Sequence, residues 1–294
     1  MKTLDYRKLD AFAVNGSMGN PAACIYLHVD ETLSDDEMKA IAYQHKGFVS
    51  EMVYCKPDIN LMFDLVYFSS ECEVAFCGHG TIACMYNLIQ DTPELLMESE
   101  LFVRTRNMGT LTVHNKILDQ DAVYITAPEA QHLGTKLSAE VIAAQLGIAT
   151  DRLSGKLPVD MINAGLNTLL VPLETLEDEI HLTPDEKSLK AFCEDNGIDI
   201  VLVFSMETSA KSSFVHSRVF APRFGYLEDP ATGSGNSALG NYLLKHQLWN
   251  GDPIAVEQGG ADMPAYNIVQ LMTMQGQVLF GGRATARIVG EYLI

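Results

Sequence analysis

The chain has 294 residues, 47% of them hydrophobic, and sets Lys+Arg of 20 against Asp+Glu of 38, a formal net charge of −18 at pH 7. That acidity argues against nucleic acid or an anionic membrane as a partner, and any anion binding has to be local, through backbone N–H groups and dipoles rather than a basic patch. The length suits one large domain or two of about 150 residues, each able to bury its own core.

The opening Met1-Lys2-Thr3-Leu4-Asp5-Tyr6-Arg7 mixes acid and base where a signal peptide needs an apolar run. No stretch approaches the ~18 apolar residues of a spanning helix, so a cytoplasmic protein with no membrane partner is expected. The cysteines (Cys24, Cys55, Cys72, Cys77, Cys84, Cys193) include no Cys-x-x-Cys pair. They fit neither a disulfide framework nor a zinc site and are expected as reduced thiols, with no metal bound.

In chain order, Tyr6–Phe12 and Ala22–Leu27 read as two strands of a hairpin around the turn cluster from Asn15 to Pro21. Ser34-Asp35-Asp36-Glu37 is a capping-box pattern that opens a short helix through Tyr43. Phe48–Tyr54 has strand composition, with Glu51 on the face of Val49 and Val53. A carboxylate there is out of place. It is either an edge-strand Glu paired with a base or a group that desolvation tunes for accepting and donating a proton near neutral pH. Leu61–Phe68 is a further strand, leading to the loop Glu73-Val74-Ala75-Phe76-Cys77-Gly78-His79-Gly80 and a helix from Thr81 to Ile89. That helix is apolar on nearly every side, which is the mark of a helix that is surrounded.

Leu101–Ala127 reads as short strands, and Pro128 begins a crossing to a second half. There, helices are expected from Ser138 to Gly147 and from Thr183 to Phe192, and strands at Val201–Phe204, Ser213–Phe220 and in several segments between Ile254 and Ile294. Ala164–Leu173 resembles the Gly19–Leu27 region.

The second half also carries Glu228-Asp229-Pro230-Ala231-Thr232-Gly233-Ser234-Gly235, running into a helix from Ala238 to Leu248. A shift of 155 residues superimposes Glu73 on Glu228, both pairs of glycines, Ala83 on Ala238 and Leu88 on Leu243. So long a period points to duplication of a whole domain. Each half then reads as a sheet wrapped around a central helix, with residues 1–127, completed by a C-terminal strand at 283–294, forming one domain and 128–282 the other.

Each glycine loop turns into a helix start, where free N–H groups and the helix dipole favour an anionic group of a small ligand. Both match Gly-x-Gly-x-x-Ala. A dinucleotide site is nevertheless discounted, because no acidic residue follows at a strand end about 20 positions on and alternating βα units are absent. A phosphate loop is excluded by the lack of a following Gly-Lys-Ser/Thr. Close packing of loop on helix is the bland account of the glycines. His79 at a helix start is expected as a neutral ring. Asp229 reads either as a turn cap or as a ligand group, and Cys77 as a small buried residue or a reactive thiol.

Taken together, Gly19-Asn20-Pro21-Ala22-Ala23, Ser50-Glu51, Tyr67-Phe68, Cys77-Gly78-His79-Gly80-Thr81, Arg218-Val219-Phe220-Ala221-Pro222 and Glu228 through Gly235 resemble the PhzF-like isomerases of phenazine biosynthesis. The resemblance spans nearly the whole chain in order. It implies the α+β diaminopimelate epimerase fold: two pseudo-symmetric domains, each a mixed sheet rolled around a central helix, with the site in the cleft between them. It further implies a cofactor-independent isomerase of a biosynthetic process, in which a glutamate moves a proton on a small carboxylic-acid substrate. Glu51 matches that catalytic residue. Gly78, His79, Gly80, Asp229, Gly233, Ser234 and Gly235 match the substrate-binding positions.

Departures bear on mechanism. Diaminopimelate epimerases use two cysteines, whereas here Cys77 has Thr232 as its counterpart, so a two-thiol mechanism is not available. The family glutamate usually sits in Glu-Thr-Ala-Phe and here sits in Glu51-Met52-Val53-Tyr54. Two other readings stay open: an amino-acid racemase or epimerase with Cys77 as a second base beside Glu51, and a small-molecule binding protein without turnover. A homodimer is the general expectation for a soluble oligomer.

Overall fold

The computed structural model describes residues 2–294. The chain divides into two compact units, Met1–Thr126 with Gly281–Ile294, and Ala127–Phe280.

The first unit contains β1 (Thr3–Ala11), β2 (Asn20–Tyr26), α1 (Asp35–Gln44), β3 (Glu51–Pro57), β4 (Met62–Ser69), β5 (Glu73–Val74), α2 (Gly78–Asp91), α3 (Pro93–Leu96), β6 (Glu100–Thr105), β7 (Gly109–Lys116), α4 (Ile117–Gln120) and β8 (Ala122–Thr126). The second contains β9 (Gln131–His132), α5 (Ala139–Leu146), β10 (Asp160–Asn163), β11 (Asn167–Pro172), α6 (Leu176–Ile180), α7 (Glu186–Asp195), β12 (Ile200–Ser205), β13 (Val215–Phe220), β14 (Glu228–Asp229), α8 (Gly233–Lys245), β15 (Ile254–Gln258) and β16 (Asn267–Met274). The division of the chain falls within β17 (Gln277–Gly282), and β18 (Ala284–Leu293) belongs to the first unit.

In the first unit β18 pairs antiparallel with β1, β1 with β2, β2 parallel with β3, and β3 antiparallel with β4. β4 then divides its next edge lengthwise. Met62–Leu65 pair parallel with β6, while Tyr67 and Phe68 pair antiparallel with β5. That two-residue bridge lifts the chain off the sheet and delivers it into α2. The second unit repeats the device: Val215–Ser217 of β13 pair parallel with β15, and Val219 and Phe220 pair antiparallel with β14, which leads into α8. The parallel β11–β12 and antiparallel β12–β13 pairs likewise repeat β2–β3 and β3–β4. The repeat seen in sequence is thus a repeat of topology.

Both central helices are enclosed, as their all-round apolarity predicts. α2 packs on β1, β2, β3, β8 and β18, and buries Ile82, Ala83, Cys84, Met85, Tyr86 and Ile89. α8 packs on β10, β11, β12 and β16, and buries Ala238, Leu239, Tyr242 and Leu243. A second layer covers the far face of each sheet. α1 seats Met38, Ile41 and Ala42 against Leu4, Ile25, Met52 and Tyr54, and α5 and α7 seat Ile142, Leu146, Leu189 and Phe192 against Leu169, Val171, Val201 and Val203. Strand β12 is buried on both faces, which is why Ile200–Phe204 reads as an apolar run, whereas β13 is equally buried but carries His216, Ser217 and Arg218.

Local signals hold at the caps. Ser34 and Glu37 form the capping box of α1, and α5 runs from an N-cap at Ser138 to Gly147 in the left-handed conformation with φ 71°. Four boundaries differ from expectation. Phe48–Ser50 is not strand: its N–H groups at Phe48 and Val49 turn back onto the His45 carbonyl, and Phe48 is exposed, so β3 begins at Glu51. The central helices begin at Gly78 and Gly233, three and five residues earlier than expected, because Cys77 and Thr232 take the N-cap positions in spite of the poor helix propensity of glycine. α8 ends at Lys245. All six cysteines are free, and among the described residues no helix is long and apolar enough to cross a membrane.

Candidate active site

Strand β3 and the head of α2 bring three of the expected residues together. Glu51 opens β3 opposite Ala22 on one side and Ser69 on the other, and Cys77 is the N-cap of α2 with His79 in its first turn. Glu51 Oε2 lies 3.2 Å from His79 Nε2, and Cys77 Sγ lies 3.5 Å from Nδ1 of the same ring. Gly80 has a steric reason to be glycine: a Cβ there would stand 2.9 Å from both Cys77 Sγ and Val53 Cγ2. The α2 N-terminus is held from beneath. Tyr67 donates its hydroxyl proton to Thr81 Oγ1 at 2.7 Å, and Thr81 donates in turn to the Cys77 carbonyl at 2.7 Å.

The electrostatics differ from the expected neutral imidazole. Burial works against a charged ring, yet Cys77 and the Glu51 carboxylate beside it outweigh burial and hold His79 well above its usual range. A helix dipole of about half a charge does not compete with a carboxylate at contact distance. Burial pushes the Cys77 thiol up, opposed by His79 and by the Gly80 N–H. That N–H donates to Cys77 Sγ at 3.3 Å, so it is already spent within the protein.

In the second unit, Asp229, Gly233, Ser234 and Gly235 form the matching loop and helix start. Thr232 stands where Cys77 stands but does not cap α8: its hydroxyl donates to Asp229 Oδ2. That hydrogen bond braces the turn through one carboxylate oxygen of Asp229. Gln258 ties the loop down, its Oε1 accepting from Thr232 N at 3.0 Å and Asn236 Nδ2 at 2.7 Å, and its Nε2 donating to the Asp229 carbonyl at 2.8 Å. Arg218 forks onto Glu228 at 2.9 and 2.7 Å while its other nitrogen donates to the carbonyls of Glu179, Ile180 and Leu182. Gly233 lies under an aromatic ring, since a Cβ would come within 2.3 Å of Phe280 Cε2.

The two halves are not chemically equivalent. Phe68 pairs with both Met52 and Glu73, and Phe220 pairs with both Val201 and Glu228. Val201 is thus the counterpart of Met52, and Ile200 that of Glu51. The Ile200 side chain packs over Gly235, its Cδ1 3.2 Å from where a Cβ would be. The carboxylate, the thiol and the imidazole all belong to the first unit.

The family model described as phenazine biosynthesis-like protein matches residues 9–287. The chain belongs to that family. Several relatives are named as isomerases, among them the uncharacterized isomerase YfhB of Bacillus subtilis, 29% identical over 263 residues covering 88% of this chain and 87% of the relative. The chain is an isomerase of this type. A PhzF-family crystal structure from Bacillus anthracis superimposes over 100% of both chains with TM-score 0.84 at 24% identity. A hydroxyproline epimerase from Agrobacterium vitis, solved with trans-4-hydroxy-L-proline, shares the fold with TM-score 0.54 at 13% identity, over 99% of this chain and 91% of that one. The architecture is accordingly that of the PhzF and diaminopimelate epimerase-like folds.

Residue types and local spacing were enough to single out Glu51, Cys77 and His79. Thr81, Tyr67, Gln258 and the bracing role of Arg218 escaped, because their partners come from strands brought alongside only by sheet register. Thr81 carried a faint local signal, a hydroxyl one turn after the N-cap.

Proposed function

We propose that this chain catalyses cofactor-independent isomerisation of a small carboxylic acid, with Glu51 as the single group that removes and returns a carbon-bound proton. The observation that carries this reading is the asymmetry of the repeat: Glu51 beside His79 in one half, Ile200 in the equivalent place of the other. A carboxylate 21% exposed, beside an imidazole whose pKa Cys77 and Glu51 hold well above its usual range, is oriented without being sealed from a ligand. Gly78, His79 and Gly80, and likewise Asp229, Gly233, Ser234 and Gly235, are proposed to hold the polar and acidic groups of substrate. Of the two helix starts, that of α8 has no side-chain cap, whereas at α2 Gly80 already donates to Cys77.

The racemase reading fares worse on geometry. Two bases working on opposite faces of one carbon, each about 3–3.5 Å from it, stand roughly 6–7 Å apart. The donor atoms of Glu51 and Cys77 lie within 4.8 Å of each other. Incorporation of solvent deuterium into a panel of cyclic and amino carboxylic acids tests the proposal. Exchange by the wild type that is lost in Glu51→Gln supports it, and a panel in which no compound exchanges, though some bind, favours a binding protein instead.

A further inference from the structure

The head of α2 gathers three different donor atoms, a carboxylate oxygen of Glu51, the sulfur of Cys77 and a ring nitrogen of His79, all within 4.8 Å of one another. The separations are 3.2 Å for Glu51 Oε2 to His79 Nε2, and 3.5 and 3.7 Å for Cys77 Sγ to the two ring nitrogens. A zinc ion held tetrahedrally by ligands at about 2.0–2.3 Å spaces them roughly 3.3–3.7 Å apart. The Glu51–His79 and Cys77–His79 pairs therefore already stand near the spacing that such an ion imposes, and the Glu51–Cys77 pair lies within 4.8 Å. A second observation points the same way: Glu51 Oε2 is buried and makes no aligned hydrogen bond. Its 3.2 Å contact with the His79 ring is an ion pair without a hydrogen bond, and a cation would engage the lone pairs left over on this buried oxygen. The outer supports are also present. Gly80 N–H donates to the sulfur, and Tyr67 and Thr81 fix the Cys77 backbone.

We propose that Glu51, Cys77 and His79 bind one soft divalent transition-metal ion, with zinc the best fit, in a three-ligand site that leaves a fourth position open. Thiolate and imidazole select zinc over magnesium and calcium, and the surplus of acidic residues favours cation approach. On binding, the Cys77 S–H bond and the N–H bond of the ligating His79 nitrogen both break, the two protons pass to buffer, and the freed sulfur and nitrogen lone pairs form the bonds to the metal, with no change of oxidation state. An ion so placed engages the lone pairs of Glu51 and keeps that carboxylate from proton transfer. This consequence rests on the role proposed above for Glu51, whereas the binding itself does not.

Metal-stripped protein titrated with Co²⁺, followed by Zn²⁺ as competitor, tests the site by spectroscopy without any turnover. The expected result is one Co²⁺ per chain, with a thiolate-to-cobalt charge-transfer band that Zn²⁺ abolishes and excess Mg²⁺ leaves intact. Cys77→Ser removes the band, and Cys72→Ser, at an exposed thiol, keeps it. Glu51→Gln and His79→Gln each weaken Zn²⁺ binding by at least ~10-fold, the loss that even an outer-shell partner causes. A band that survives in folded Cys77→Ser, that disappears in Cys72→Ser, or that Mg²⁺ displaces as readily as Zn²⁺ overturns the proposal. If circular dichroism finds Cys77→Ser unfolded, the other two variants decide, and unchanged zinc affinity in both overturns it.

Discussion

Glu51 and His79 face each other across 3.2 Å, the carboxylate from the first residue of a strand and the imidazole from the first turn of a helix. Neither element alone fixes the pair. It exists because the β4–β5 bridge sets the start of α2 against the start of β3.

Replacing Glu51 by Gln keeps shape and hydrogen bonding but removes the ionisable group. Turnover should vanish while ligand affinity stays within about tenfold of wild type. Deuterium exchange and calorimetric binding measure the two quantities, and full exchange activity in the variant would rule out the single-base mechanism.

Cys77→Ser separates the two enzymatic readings. With Glu51 as sole base, kcat/KM should fall by less than about tenfold, ~1.4 kcal/mol. A second base at Cys77 predicts a loss of at least ~10²-fold, because a hydroxyl does not ionise near neutral pH. Steady-state kinetics on folded variant protein give the answer.

Gly233→Ala pushes a methyl against a Phe280 ring that is itself buried, at 2.3 Å from Cε2. Overpacking of this kind costs about 1–3 kcal/mol, whereas Gly155→Ala, with nothing within 4 Å of the added carbon, should stay within ~0.5 kcal/mol. Denaturant midpoints at constant slope compare them, and equal midpoints would show that the Phe280 contact does not constrain the loop.

Glu179 gives stability a pH dependence. Burial raises its pKa from 4.5 to about 6, although His216 and Arg218 pull the other way. In the unfolded chain the group ionises near 4.5, so its contribution is fully present below that pH and is lost as pH rises through about 6. Across this window the loss is roughly 2 kcal/mol. The difference in unfolding free energy between wild type and Glu179→Gln should change by that amount between about pH 4 and pH 7. Parallel stability curves would contradict the assignment.

Much of the fold is legible because its signals are local or periodic. The Ser34–Glu37 box, the Gly147 terminus and the enclosed character of α2 each follow from a few adjacent residues. The 155-residue shift exposes the duplicated topology for the same reason: both loops keep their glycines. Where the reading failed, tertiary contacts overrode composition. Phe48 and Val49 have strand propensity but serve as the turn out of α1. His79 was expected neutral from the helix start alone, and the Glu51 and Cys77 groups that reverse this come together only in three dimensions. Gln258, which pins the second glycine loop, is distant in sequence and has no local mark.

Ile200 in the place of Glu51 has a stereochemical consequence. On the single-base mechanism the only proton carrier sits on one side of the substrate carbon framework, so the hydrogen that leaves and the hydrogen that arrives must use the same face. The reaction is suprafacial. A substrate labelled at the migrating position should return part of its label to product in ordinary water, in proportion to how seldom Glu51 exchanges with solvent before the second transfer.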